Sequence, residues 1–204
     1  MLFGFILGAT VFASVAMMVR EGVWNNTLAL IQILLSSVIA MGLYQPLVVM
    51  IDEQLGGEYT YALDIVVLWG VYVVAFIVLK LLCEKFSKTR MRFPEKVDDF
   101  VGPLIGLIAG ACLAGFVGVS LHVAPLPRDG LGGAMNYTES EFRGAPIYAL
   151  DATWLKMYET ASNAGFAGPD DFSAWGFVKI YGDRRARYEE TEGLRVDRGG
   201  GRRR

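Results

Sequence analysis

Asp64 and His122 are the ionisable side chains that fall at the margins of otherwise apolar stretches of this sequence. A carboxylate and an imidazole in such a setting can relay protons or steer an ion. Both sit near the end of their stretch, where water reaches, so ordinary interfacial placement is the competing reading. Cys83 and Cys112 fall at the end and the middle of different stretches, which points to neither a disulfide nor a two-cysteine metal site. The sequence shows no Gly-rich phosphate loop, nucleophile elbow or cluster of metal ligands, and so offers no catalytic residue, metal site or cofactor.

A different spacing stands out between residues 98 and 118. Asp98, Gly102, Gly106, Gly110, Ala114 and Gly118 recur at every fourth position of GPLIGLIAGACLAGFVG and the residues before it. Glycine inside a helix costs roughly 1 kcal/mol relative to alanine in water, so a ridge of it calls for a reason. In lipid, where the surrounding tails are as apolar as leucine, small residues let two helix backbones approach closely. Positions four apart share a face, so these residues form a groove along one helix. Gly4 and Gly8, and Ser36 and Ala40, give shorter versions elsewhere. Holding the helices together is the plainer reading; a seam between copies, or a path for a substrate, is the sharper one. Asp98 and Asp99 stand where carboxylates can cap the exposed amides at the start of the helix.

The elements that must carry this groove follow from composition. Of the 204 residues 53% are hydrophobic and 20% charged, and the mean hydropathy is +0.39, too apolar for an ordinary soluble domain. Crossing the hydrocarbon core takes about 20 apolar residues in a helix. Four charge-poor stretches therefore predict spans near 2–19, 27–49, 62–82 and 101–123, an all-α four-helix membrane bundle occupying residues 1–124. A cleaved signal peptide would need basic residues before the first run, and the first is Arg20.

Lys80, Lys85, Lys88, Arg90, Arg92 and Lys96 lie between the third and fourth stretches, whereas residues 52–60 carry three acids and no base. The positive-inside rule then puts the 80–99 loop in the cytoplasm and both termini outside, in the bacterial inner membrane. That basic loop suits orientation and anionic lipid better than nucleic acid. Trp24, Tyr44, Tyr59 and Tyr61 fall near span ends, either as interfacial rings or as packed core.

Residues 125–182 predict an extracytoplasmic segment rich in aromatics. Ile147, Leu150, Trp154, Leu155 and Tyr158 recur at helical spacing, with Asp151, Lys156 and Glu159 elsewhere, which predicts an amphipathic helix over 147–162. It could lie on the outer leaflet, cap the bundle or dock a partner. From Asp183 to Arg204 the chain is charged and poor in large apolar residues, which predicts disorder.

The four-span layout, Arg20 and Gly22 after the first span, and above all Asp98, Gly102, Gly106 and Gly110 resemble the colicin V production protein (CvpA) family over residues 1–125. The chain departs from the family pattern at Asp99, at Ala109, at Glu21 and at Asn25, where basic residues or a direct Arg-Gly are usual. The resemblance implies an inner-membrane protein associated with toxin production or export and envelope maintenance. Some relatives anchor an extracytoplasmic serine protease, but a Ser-His-Asp apparatus would rest here on His122, the single histidine, with a tail too short for a protease domain.

Two functions follow. One is a non-enzymatic scaffold whose fourth span and tail bind a membrane-protein partner or a second copy of the chain. The other is a small channel or transporter with its path along the glycine groove, lined at the outer end by Asp64 and His122.

Overall fold

The structure is a computed structural model that describes residues 1–55, 60–86, 93–127, 130–166 and 171–190. Among these residues regular structure is helical throughout, with no strand. Four long helices come first: α1 (Leu2–Met18), α2 (Gly22–Leu55), α3 (Thr60–Phe86) and α4 (Glu95–Val123). Three short ones follow: α5 (Glu139–Arg143), α6 (Leu150–Ala161) and α7 (Ala174–Glu190). By length and composition α2, α3 and α4 can each cross a membrane. α1 has 17 residues, mostly apolar and without a charge, at the lower limit of a span.

Helix boundaries differ from expectation where polar residues continue the helix beyond the apolar stretch. α2 starts at Gly22 and runs through Pro46 to Leu55, and α4 starts at Glu95. α6 matches the amphipathic pattern within narrower bounds, starting at Leu150 rather than Ile147 and ending at Ala161. The expectation of disorder from Asp183 fails for its first part, because residues 183–190 complete α7. The apolar stripe Ala174, Phe177, Val178 and Tyr181 continues at the next turn with Arg185, whose stem and head are both buried, so packing rather than composition decides there. Residues 191–204, and the loop positions 56–59 and 87–92 with Tyr59, Lys88, Arg90 and Arg92, lie outside the described residues.

α4 is the organising helix: α1, α2 and α6 all pack on it, and α3 packs chiefly on α2. The main core joins α2, α3, α4, α6 and α7 through a run of rings. Phe116 of α4 lies 4.7 Å from Tyr72 and 5.5 Å from Trp69 of α3, and 5.7 Å from Trp154 of α6. Trp154 stacks on Tyr158, which meets Phe172, and Phe177 meets Tyr181. Each such pair contributes roughly 0.5–1.5 kcal/mol beyond its buried area. The aromatic richness of the tail therefore serves its docking on the long helices. A second, smaller core sets Phe3 and Leu7 of α1 against Ala114 and Met135.

Candidate functional site

The glycine ridge of α4 is filled from within the chain. Its lowest step meets backbone alone: a methyl on Gly102 would lie 3.4 Å from the Cα and carbonyl carbon of Gly22. Gly22 has φ +74°, a left-handed conformation that glycine adopts without penalty, and it turns the chain from α1 into α2. One step up, Gly106 faces Met18 Cβ at 3.1 Å from the same kind of built methyl; above it Gly110 faces Ser14 Cβ at 3.0 Å and the Val11 carbonyl at 3.3 Å. Ala114 is fully buried beside Phe3 and Leu7, and Gly118 faces Leu7 Cδ2 at 3.4 Å. α1 thus climbs the ladder step by step, and within the chain the groove is a packing surface for α1.

Polar groups lock the lower end. Asp98 Oδ1 accepts the backbone N–H of Val23 at 2.9 Å. The aspartate, expected to cap its own helix, instead lies inside the first turn of α4 and caps the neighbouring α2, where a carboxylate also faces the positive end of the helix dipole. Asn26, buried on α2, donates through Nδ2 to the Met18 carbonyl at 3.0 Å and to the Gly102 carbonyl at 2.8 Å. Three helices meet on that one amide. Arg20 is exposed in the turn between α1 and α2 and takes no part. A methyl on Gly4 or Gly8 would meet nothing within 4 Å among the described residues, so no described helix packs on these two positions of α1.

At the opposite end, Asp64 and His122, expected where water reaches them, are both buried. The tail covers them. Asp64 is ion-paired with Arg184 of α7, whose guanidinium also lies 5.0 Å over the Tyr181 ring. His122 Nε2 meets Asp151 Oδ2 at 2.9 Å, so with the carboxylate ionised this nitrogen carries the proton. Tyr137 donates to both carboxylate oxygens, at 3.2 and 3.3 Å. The adjoining Arg185 is fully buried; its Nη1 donates to the His122 carbonyl at 3.2 Å and its Nη2 to the Met135 carbonyl at 3.4 Å. Tyr181 and Tyr44 of α2 share a hydrogen bond of 3.1 Å, which places Tyr44 in the core.

Burial alone would raise the Asp151 carboxyl, but the His122 hydrogen bond and charge, the Ala152 amide and Tyr137 together hold it below the usual carboxylate range. Burial, then the neighbouring carboxylate, pushes the Tyr137 hydroxyl well above its ordinary value, so it remains a donor. Asp64 and His122 are each held by a separate partner from the tail.

Sequence reasoning missed five participants. Asn26 lies one helical turn after Gly22 and so shares its face. Gly115 lies three residues before Gly118, out of phase with the four-residue ladder, yet a methyl there would lie only 2.8 Å from the Leu150 carbonyl and 2.9 Å from Trp154 Cβ. Asp151 read as part of a solvated face. Arg184 and Arg185 stood in a charged segment; their signal is the apolar stripe of α7 that leads to them.

No curated protein and no solved structure matches the chain. The family model of the colicin V production protein matches residues 3–147, which takes in α1 to α5, the whole ladder, Asp64 and His122, and ends just before α6. The chain belongs to the colicin V production protein family and is a multi-pass membrane protein of toxin production.

Proposed function

We propose that the chain is a non-enzymatic scaffold of the bacterial inner membrane, supporting toxin production or export and envelope maintenance by presenting its docked tail to a membrane-protein partner. In this reading α1 to α4 all cross the bilayer, the Asp98 end faces the cytoplasm, and both termini are extracytoplasmic. The observation that carries it is the convergence of ties on the tail. Tyr181 holds α2, Arg184 holds α3, and Asp151 and Arg185 hold α4, while Met135 packs on α1. A surface fixed to every long helix is suited to transmitting position rather than to turnover. The channel reading needs an open groove, and the ladder is occupied by α1.

The test is the composition and mass of the complex extracted in native lipid discs from its own membranes. Wild-type protein is expected to bring a stoichiometric partner that the Arg184→Ala, Arg185→Ala variant loses while α1 to α4 stay assembled. A pure homo-oligomer, or a partner indifferent to the tail, would overturn the scaffold reading and make solute flux in reconstituted vesicles the next experiment.

A further inference from the structure

α6 does not stand clear of the long helices; it lies across them below their outer ends. Gly118 lies against both Leu7 of α1 and Asp151 of α6, and Gly115 lies against Leu150 and Trp154. Farther along α6, the Tyr158 hydroxyl approaches Gly42 of α2. Two independent measures give the depth. Leu7 is five residues into α1, so Asp151 sits about 7 Å inside the outer end of that helix at 1.5 Å per residue. From Asp99, the last charged residue before the apolar stretch, to Gly115 is 16 residues of α4, or about 24 Å, which in a core about 30 Å thick leaves Gly115 about 6 Å below the outer boundary.

That depth is the one at which amphipathic helices lie in a bilayer interface, about 5–10 Å into the boundary between headgroups and acyl chains. The turn leading into α6 carries two large apolar residues, Ile147 and Tyr148, exposed by 82% and 81%. They sit three and two positions before Leu150, whose carbonyl lies against Gly115. The polar features of α6 are turned elsewhere or neutralised. Asp151 is buried on His122, and Lys156 donates to the carbonyls of Arg143 and Ala145 with its ammonium 5.5 Å over the Phe142 ring.

We propose that α6 is an interfacial helix built into the bundle and that Ile147 and Tyr148 insert into the outer leaflet, at the level where acyl chains meet headgroups. The proposal rests on the reading that α1 to α4 cross the bilayer, and it assigns to lipid a surface of the tail. It fits the chemistry of both residues: an aliphatic chain for the hydrocarbon, and a phenol whose ring is apolar and whose hydroxyl reaches the headgroups.

The experiment places a single cysteine at Ile147, Tyr148, Leu107 or Glu139 in a Cys83→Ser, Cys112→Ser background and labels it with a bimane fluorophore. The protein is reconstituted in vesicles of phosphatidylcholine and phosphatidylglycerol. Quenching is read with lipids carrying a nitroxide near the headgroup or near the chain end, and with iodide in the water. For an interfacial segment, the Ile147 and Tyr148 probes are expected to be quenched at least about twofold more by the shallow nitroxide than by the deep one, with iodide quenching about tenfold below that at Glu139. Iodide quenching equal to that at Glu139 would overturn the proposal, because the turn would then be in water. Protection from all three quenchers would overturn it too, because protein would cover the turn. Leu107, exposed in the middle of α4, distinguishes the premise: if the deep nitroxide fails to quench there, the crossing of the bilayer is refuted and the proposal falls with it.

Discussion

Replacing Gly115 by alanine probes the join between α4 and the tail at its closest point. The added methyl would lie 2.8 Å from the Leu150 carbonyl oxygen and 2.9 Å from Trp154 Cβ, against 3.4 Å for the start of ordinary contact. The obstructing oxygen belongs to the backbone of α6, so it can move only if the helix does, by roughly half an ångström. Overpacking of this kind costs roughly 1–3 kcal/mol. Alanine's higher helix propensity returns about 1 kcal/mol, which leaves a net loss of up to about 2 kcal/mol, or up to about thirty-fold in the folding equilibrium. Gly8→Ala is the matched control, because nothing lies within 4 Å of its methyl, and its stability should stay level or rise. Gly106→Ala should fall between, since Met18 Cβ at 3.1 Å is the nearest atom. Unfolding in mixed micelles, followed by tryptophan emission, reads all three. Trp154, stacked 5.5 Å from Tyr158, reports directly on the join. If Gly115→Ala proved as stable as wild type with unchanged emission, or Gly8→Ala proved the more damaging, the packing argument would be wrong.

Asp98→Ala should cost about 1 kcal/mol, the usual loss for an N-cap, while Asp98→Asn keeps an acceptor for Val23 and should lose less; the same unfolding assay separates them. Asn26→Ala removes donors from two carbonyls on two helices and should cost about 1–2 kcal/mol, with no rescue by glutamine, whose amide sits one carbon too far out. Acid should loosen the tail before the long helices. The folded Asp151 carboxyl lies below its usual range, so its contribution is complete above the unfolded value of about 4 and is lost as pH falls through the folded one. Trp154 emission should therefore show a low-pH step that Asp151→Asn abolishes. Asp64→Ala and Arg184→Ala should each speed proteolysis of the tail, and the double variant should be no worse than either single one, as expected when one contact is removed twice.

The long helices were legible because an apolar run in a chain too hydrophobic for water has few other uses, and the ladder was legible because its spacing matches one helix face. What filled the ladder was not. Four-residue spacing on α4 describes a groove, but the occupant depends on α1 returning antiparallel, which is a tertiary fact that α1's mostly apolar sequence does not encode. Asp98 illustrates the same limit at one residue. Its position before a helix suggested a local cap, whereas the turn at Gly22 delivers a different helix start to it. The tail was misread for a related reason. Arg184 and Arg185 belong to a segment whose average composition favours disorder, and two buried acceptors on distant helices outweigh that average.

The two ends of the bundle are held by different physics, and the difference follows from where each lies. Through the apolar middle, no hydrophobic force draws one helix to another, so close backbone approach along Gly102, Gly106 and Gly110 does the work. At the outer end, Asp64 and His122 are buried polar groups, and each would be costly without a partner. Their partners Arg184, Asp151 and Arg185 all come from beyond residue 147, where the family match ends. The aspartate and histidine on the shared helices and the tail helices that satisfy them therefore form one unit. Without α6 and α7 the Asp64 carboxylate and the His122 imidazole would lose their cover and their partners together, so the tail sets the environment of the outer ends of α3 and α4.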